Sequence, residues 1–177
     1  QLAPAICRII GGSAQECAIA QRAALLSKSD LVTNMVFEFT ELQGVMGSHY
    51  AISDGEEPAV AKAIGEQYRP NSSGGVLPET MAGRALALAD KIDALTGYFS
   101  IGLIPSGSQD PFALRRAALG IIAIIKDAGI HVSLTSLIEQ AYDLYSGNVT
   151  FKNDRSTVCT LLEEFFRGRM RAALMED

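Results

Sequence analysis

The stretch DPFALRRAALGIIAII, residues 110–125, decides the fold class predicted for this chain of 177 residues. Asp110 stands immediately before Pro111, an arrangement typical of an N-cap followed by the first residue of a helix. From residue 117 to residue 125 the apolar side chains would cover the whole circumference of that helix, which is typical of a helix buried on all sides. We therefore predict that this segment is the buried central helix of an all-α fold, with Asp110 as its cap.

Helical periodicity continues through most of the remaining sequence, and no run of alternating apolar and polar residues predicts a β-strand. Ser13 followed by Glu16 fits a capping box, Thr40 is a candidate cap of a shorter helix, and a break is expected near residues 28–31. The other expected helices span about residues 13–39, 40–53, 57–68, 78–98, 133–145 and 154 onward. The sequence thus predicts an all-α, multi-helix bundle with one buried central helix.

Two segments have the composition of loops. RPNSSGG, residues 69–75, is rich in the residues that favour turns. We expect it to be either a plain connector, which is the commoner case, or a mobile surface segment. GLIPSGSQ, residues 102–109, is expected to join two helices as a flexible turn.

Length and composition predict one folded domain over residues 1–177. Hydrophobic residues make up 48% of the chain and charged residues 20%, which excludes intrinsic disorder. Gln1 stands where a complete protein would begin with Met, and Asp177 falls inside a helical pattern, so we expect a segment cut from a longer protein. No apolar run approaches the roughly 20 residues that cross a bilayer, and no secretion signal is recognisable. We therefore expect a cytoplasmic protein without a membrane partner.

The cysteines and the net charge narrow the function further. Cys7, Cys17 and Cys159 show no metal-binding spacing, so reduced and buried thiols are expected, as is usual in the cytoplasm. The formal charge of −5 argues against strong binding of nucleic acid, DNA included, by the whole domain. Such affinity comes mostly from neutralising phosphates. Any contact with RNA is therefore expected to be local.

Few residues are candidates for a metal or acid–base site. Asp90 and Asp93 share a helix face at spacing i, i+3 and could together hold one divalent cation. A solvated or salt-bridged face is the commoner reading of such a pair. Glu41 and His49 are further candidates, and His131 stands alone. Two scattered histidines do not predict a hydrolytic metal site, and no nucleotide-binding glycine loop, GxSxG elbow or HExxH helix occurs.

Arg115 and Arg116 are expected to have specific anionic partners, because they stand near the start of a helix, where the macrodipole does not favour cations. An internal salt bridge with Asp90, Asp93 or Asp110 is the favoured interpretation. An external phosphate is the alternative.

Five separated motifs carry a family resemblance. They are RAALLSKSDLVTNMVFEFTELQGVMGSHYA at residues 22–51, GEQYRP at 65–70, LPET at 77–80, ALADKIDALTGYFSIGLIPSGSQDPFALRRAALG at 87–120 and, more weakly, FFRGRM at 165–170. Together these motifs resemble the β subunit of bacterial glycyl-tRNA synthetase, most clearly from residue 22 to residue 125. Because the motifs are separate and cover most of the chain, the resemblance is highly specific.

The resemblance implies an HD-type helical domain, a fold shared with metal-dependent phosphohydrolases. Those hydrolases hold a metal with a first His, an adjacent His-Asp pair and a later Asp. By matching, the His-Asp pair falls at Glu41 and Leu42 and the later Asp falls at Asp90, so only Asp90 survives. Metal-dependent hydrolysis, and a metal at this position, are therefore expected to be lost.

The resemblance also implies a role in attaching glycine to tRNA(Gly) with ATP and magnesium. Glycyl-adenylate would form on the separate α subunit, and the β subunit would serve tRNA recognition and the assembly of a heterotetramer. The expected partners are the α subunit, tRNA(Gly) and the remaining domains of the β subunit. No cofactor is expected in this chain itself.

Three functions stay open for the domain. The leading one is a non-catalytic module that contacts tRNA and acts as a scaffold; the alternatives are a surviving metal-dependent HD phosphohydrolase and a purely structural subunit-interface domain. The predicted tRNA-backbone contacts are Arg69, Lys91, Arg115 and Arg116. Arg69 opens the Gly/Ser-rich loop, and the two later arginines could hold an anion together with free amides at a helix start. Lys91 lies between two aspartates, so an internal salt bridge is its stronger interpretation.

Overall fold

The structure is a computed structural model that describes residues 1–106, 110–145 and 150–175, with side chains up to residue 171. Within these ranges the regular secondary structure is helical and no strand is present. The helices are α1 (Leu2–Ile9), α2 (Ala14–Leu26), α3 (Asn34–Glu38), α4 (Val45–Ser53), α5 (Pro58–Glu66), α6 (Met81–Ser100), α7 (Leu114–Asp127), α8 (Leu134–Leu144) and α9 (Arg155–Met175). Short 3₁₀ helices lie at Ser29–Val32 and Thr40–Leu42. The prediction of an all-α fold is confirmed.

The chain divides into two compact units. Unit 1 comprises residues 1–70 and 75–90, and unit 2 comprises residues 71–74 and 91–177, so the division falls inside α6. The expectation of one domain over residues 1–177, and its assignment as HD-like, stay predictions.

In unit 1 the helices pack in the pairs α1 with α2, α2 with α5, and α4 with α5. Alanines at the contacts, including Ala20 and Ala23 of α2 and Ala61 of α5, are fully buried. Their small side chains let helix backbones approach closely, while Ile6 and Ile64 fill the space between the helices. The hydrophobic core of unit 1 is therefore built on alanine contacts with a few larger aliphatic residues.

In unit 2, α7 and α8 each pack against α9. The buried residues of these helices are large: Ile121 and Ile124 from α7, Leu137 and Ile138 from α8, Leu162 and Phe166 from α9. Phe99 at the end of α6 adds an edge-to-face contact with Phe165, at 5.2 Å between ring centroids. This core is therefore aliphatic and aromatic.

Side-chain caps define several helix starts as the sequence predicted. Ser13 Oγ accepts a hydrogen bond from Glu16 N at 3.3 Å, and Ser13 N donates to Glu16 Oε2 at 2.8 Å, which confirms the capping box of α2. Ser133 caps α8, and Asp154 Oδ1 accepts from Thr157 N at 2.8 Å in the first turn of α9. The predicted break after α2 is confirmed at Lys28, whose φ of 68° is left-handed.

The prediction that residues 117–125 form a central helix buried on all sides is wrong. One face of α7 is buried, with Leu114, Ala118 and Ile121 among its buried residues, whereas Leu119 and Ile122 are partly exposed. The most buried helix is α6, where most side chains from residue 82 to residue 100 are inaccessible to solvent. Apolar residues on all sides permit burial without requiring it.

Other boundaries also differ from those predicted. Helix α1 was not expected, α6 begins at Met81 rather than residue 78, and α7 begins at Leu114 rather than residue 111. Thr40 does not cap α4; that position belongs to Gly44, with a φ of 77° that only glycine adopts easily. Residues 67–80 are irregular, as expected for the first predicted loop. Part of the second predicted loop, residues 107–109, lies outside the described residues.

The described helices include none that is both long enough and apolar enough to cross a membrane. Cys7, Cys17 and Cys159 are buried and none of them is in a disulfide, which confirms the predicted burial. Burial, followed by the hydrogen bond with Cys17, raises the pKa of the Cys7 thiol to about 12. Burial also raises the pKa of the Cys159 thiol, so Cys7 and Cys159 are poor nucleophiles.

Candidate functional site

A buried carboxylate in unit 1 joins two of the sequence motifs. Glu66, at the end of α5 and 1% exposed, belongs to GEQYRP; Thr80 ends LPET. Glu66 Oε2 accepts hydrogen bonds from Thr80 N at 3.1 Å and from Thr80 Oγ1 at 2.6 Å, and Oε1 accepts from Glu79 N at 3.2 Å. The motifs are therefore linked through one side chain, which closes the irregular segment between α5 and α6.

The first turn of α6 packs directly on this carboxylate. A Cβ at Gly83 would overlap Glu66 Oε2, and it would lie 2.8 Å from Thr80 Oγ1. Gly83 N also donates to Thr80 Oγ1 at 3.0 Å. The absence of a side chain at residue 83 is thus a condition for the hydrogen bonds of Glu66.

Arg69 lies beside the same junction. Its guanidinium is 4.0 Å from Glu66 Oε1 and its side chain is 35% exposed. The ion pair is long and partly solvated, so it contributes little to stability. Arg69 therefore combines an internal carboxylate partner with access to solvent.

Asp90, the aspartate matched to the HD metal position, is paired with protein groups. Lys28 Nζ lies 2.7 Å from Asp90 Oδ1, and Gln67 Nε2 lies 3.5 Å from the same oxygen. The hydroxyl of Tyr68 is buried nearby; burial, followed by the charges of Asp90 and Asp30, raises the pKa of Tyr68 to about 12. The salt-bridged interpretation of Asp90 is confirmed, with Lys28 as its cation.

The remaining metal candidates are dispersed. Glu41 lies exposed in the 3₁₀ helix Thr40–Leu42, His49 lies exposed in α4, and His131 lies exposed between α7 and α8. Within the described residues, no group of three or more His, Cys, Asp or Glu side chains is placed to hold a metal ion.

In unit 2, Asp93 has a different partner from Asp90. Tyr145 donates its hydroxyl to Asp93 Oδ1 at 2.8 Å, and burial together with this hydrogen bond raises the pKa of Tyr145. Lys91, a predicted tRNA contact, is only 7% exposed and already interacts within the protein. Reaching a phosphate would require Lys91 to leave this environment.

Arg115 and Arg116 lie in the first turn of α7, as predicted, but the helix start is already occupied by an anion. Asp110 Oδ1 accepts from Leu114 N at 2.8 Å, and Oδ2 accepts from Arg115 N at 2.9 Å. Asp110 therefore takes two of the amides that were expected to help the arginines hold a phosphate, and the tRNA contact of Arg115 and Arg116 stays a prediction. Arg115 is partly buried and has an internal interaction, whereas Arg116 is exposed.

A second group of arginines was overlooked in the sequence. Residues 165–175 contain Arg167, Arg169 and Arg171 and no carboxylate. Arg167 and Arg171 are exposed at spacing i, i+4 on α9, and Arg169 lies over the Phe165 ring at 4.5 Å. The signal was present in FFRGRM, where alternate arginines follow two aromatic residues near the end of a helical pattern.

A family model described as the glycyl-tRNA synthetase beta subunit matches residues 1–177. This match places the all-helical chain among the components of aminoacyl-tRNA synthetases. The chain belongs to the glycyl-tRNA synthetase β-subunit family.

Curated relatives agree with this assignment. A glycine–tRNA ligase beta subunit of Desulforamulus reducens is 48% identical over 173 residues, which is 98% of this chain and 25% of the relative. One from Haemophilus influenzae strain PittEE is 51% identical over 177 residues, which is 100% of this chain and 25% of the relative. One from Aeromonas hydrophila is 49% identical over 162 residues, which is 92% of this chain and 23% of the relative. The chain thus spans about a quarter of the length of these relatives.

Proposed function

We propose that this chain is a non-catalytic helical module of a glycine–tRNA ligase β subunit, which contacts tRNA and acts as a scaffold for the enzyme. The whole enzyme would attach glycine to tRNA(Gly) with ATP and magnesium in the cytoplasm. The partners of the module would be the α subunit, the rest of the β subunit and tRNA(Gly). The support is the family membership, together with relatives named glycine–tRNA ligase beta subunit.

The observation that carries the tRNA contact is the uneven distribution of charge. Unit 1 contains six Lys and Arg residues and ten carboxylates, a net charge of −4, whereas unit 2 contains nine and ten, a net charge of −1. In unit 2, exposed arginines on α9 follow one another without an intervening carboxylate. Because phosphate neutralisation dominates affinity for nucleic acid, unit 2 offers the better local surface despite the acidic chain.

The proposed contacts are Arg69, Lys91, Arg115 and Arg116, with Arg167 and Arg171 added from α9. Arg116, Arg167 and Arg171 have the strongest support, because they are exposed and therefore reach a phosphate without rearranging the core. Lys91 has the weakest support, because burying an ammonium group is expensive unless its partner is kept.

The test uses the intact α–β complex with Arg116→Gln and Arg167→Gln as separate variants. We expect unchanged thermal stability, unchanged ATP–pyrophosphate exchange and weaker tRNA binding. The slope of log affinity for tRNA against log salt concentration should become shallower by about one unit per lost phosphate contact. Arg155→Gln is the matched control on α9. Its guanidinium lies 2.7 Å from Glu139 and 3.2 Å from Asp143, so its side chain is occupied within the protein. We expect Arg155→Gln to change stability only slightly, as is usual for exposed ion pairs, and to leave the salt dependence of tRNA binding unchanged.

Unchanged tRNA affinity in both variants would overturn the proposal that these arginines contact tRNA. In that case the purely structural alternative, with the module serving only as an interface, would replace it.

A further inference from the structure

Unit 1 carries an exposed apolar surface that its own core does not use. This apolar surface consists of six side chains from one continuous segment: Leu31, Val32, Met35, Phe37, Phe39 and Val45. Val32 is 90% exposed and Phe37 is 80% exposed. Single exposed apolar residues are ordinary, but six within fifteen positions, two of them phenylalanine, indicate a surface that another molecule or segment covers.

The charges around the apolar surface exclude RNA as its occupant. Residues 29–61 contain no Lys or Arg, and Glu38 and Glu41 are exposed within or beside the surface. The flanking cations Lys28 and Lys62 are already paired with Asp90 and Glu79, so a polyanion would meet repulsion here. The occupant is therefore a protein surface.

An acidic cavity of about 320 Å³ adds a charge requirement. Its lining includes Ser29, Asp30 and Thr33, which lie next to Leu31 and Val32 of the apolar surface. Asp54 and Glu56 also line it, and of these Glu56 is already paired with Arg22, so Asp30 and Asp54 supply the negative charge. The cavity therefore favours an occupant that brings a basic side chain beside its apolar residues.

Asp30 strengthens this requirement. Asp30 is 2% exposed, and its Oδ2 accepts hydrogen bonds from Gly44 N at 2.6 Å and Gly47 N at 3.1 Å. Its Oδ1 has no hydrogen-bond partner among the described residues. A buried carboxylate with one oxygen unpaired is costly, so a donor from an occupant would be favourable.

We infer that the apolar surface is covered by a segment of the same β-subunit chain, drawn from the three quarters of the relatives' length that lie outside residues 1–177, and that this segment brings a Lys or Arg to the acidic cavity. The relatives are about four times as long as this chain, so a covering segment from the same chain is available. If a separate partner covered this apolar surface, the surface would be exposed whenever that partner was missing, and the subunit would then tend to self-associate. A segment of the same chain is always present and avoids this exposure. This inference rests on the scaffolding half of the proposed function and not on the tRNA contact.

The test uses the full-length β subunit, purified without the α subunit and without tRNA. Val32→Cys is nearly isosteric and changes no charge. Maleimide labelling at residue 32 is followed by peptide mass spectrometry, in native buffer and in urea. We expect labelling in native buffer to be slower than in urea by more than about tenfold, as for a site exposed only by local opening. Equal rates would overturn the inference, and so would protection that appears only after the α subunit is added.

A second measurement identifies the occupant. Phe37→p-benzoylphenylalanine places a photoreactive aromatic group at an exposed position in the α–β complex. We expect crosslinks to peptides of the same β chain outside residues 1–177, in a product with the mass of one β subunit. Crosslinks to the α subunit, or a covalent pair of β subunits, would overturn the inference. None of these outcomes depends on tRNA, so the arginine contacts of unit 2 are tested separately.

Discussion

Glu66 and Thr80 are held together by two hydrogen bonds to one carboxylate oxygen, from the backbone N–H of Thr80 at 3.1 Å and from its hydroxyl at 2.6 Å. Glu66 is the last residue of α5, and Thr80 directly precedes α6. Since the irregular segment between them has little regular hydrogen bonding of its own, the carboxylate is the main constraint on where α6 starts.

Replacing Glu66 with Ala should lower the free energy of unfolding by about 2–4 kcal/mol, because three donors lose a buried acceptor. Chemical denaturation followed by circular dichroism measures this change. The control is Glu79→Gln, since the Glu79 side chain is 64% exposed and pairs with Lys62 at the surface. We expect that control to change stability little, and equal effects in the two variants would contradict the role assigned to Glu66.

Gly83→Ala and Gly168→Ala should act in opposite directions. At residue 83 the new methyl group would overlap the Glu66 carboxylate, which would have to move. We therefore expect the free energy of unfolding to fall by about 1–3 kcal/mol. At residue 168, in α9, nothing lies within 4 Å of the new Cβ, and replacing a helical glycine should add about 0.5–1 kcal/mol. Thermal unfolding of the two variants provides the comparison, and stabilisation by Gly83→Ala would show that Glu66 moves freely.

The capping box of α2 should make the folding stability depend on pH in the acidic range. Hydrogen bonds from the backbone and side chain of Ser13 lower the pKa of Glu16 below its ordinary 4.5. The contribution of this carboxylate is therefore complete above the unfolded value and is lost as the pH falls through the folded pKa. Glu16→Gln keeps an acceptor but does not titrate. The difference in midpoint temperature between wild type and Glu16→Gln should be largest near neutral pH and should shrink towards pH 3; a constant difference would contradict this assignment.

Asp90→Asn should leave metal content and phosphodiester hydrolysis unchanged, because Lys28 already provides the cation at Asp90. We expect a loss of stability of about 1 kcal/mol or less, as is usual for a partly exposed ion pair. Metal analysis of protein treated with chelator, together with a hydrolysis assay, checks the prediction. Stoichiometric metal that disappears in Asp90→Asn, along with hydrolysis, would favour the phosphohydrolase alternative.

The chain of residues 1–177 alone should not charge tRNA with glycine and should bind tRNA weakly. Its net charge of −5 opposes approach to a polyanion, and adenylate formation is expected on another chain. Aminoacylation and filter-binding assays at several salt concentrations are the measurements. Charging by this chain alone would contradict the non-catalytic role.

Local chemistry explains which parts of the fold were predictable. Ser13, Ser133 and Asp154 cap helices through hydrogen bonds to residues three positions later, so their role can be read from neighbouring residues. The turn at residues 111–113, after which α7 begins, is less predictable. Asp110 accepts hydrogen bonds from residues four and five positions later, and not from the residue three positions later as in an ordinary cap.

Tertiary contacts explain what the sequence left undetermined. Burial of α6 in preference to α7 depends on which faces meet other helices, and the hydropathy of either segment does not contain that information. Glu66 was likewise overlooked, because a buried and an exposed glutamate at the end of a helix look alike in sequence. The assignment of Asp90 to a salt bridge was predictable, but its partner Lys28 lies sixty-two positions earlier and no local pattern connects the two.

The absence of Lys and Arg from residues 29–61 has a consequence for proteolysis experiments. Trypsin cuts after these two residues, so it cannot cleave inside this segment whether the segment is covered or bare, and tryptic resistance there says nothing about folding. Chymotrypsin cuts after aromatic residues and finds Phe37 and Phe39 exposed. A chymotryptic digest of the full-length subunit thus reports the accessibility of the apolar surface, and trypsin reports only on the chain around it.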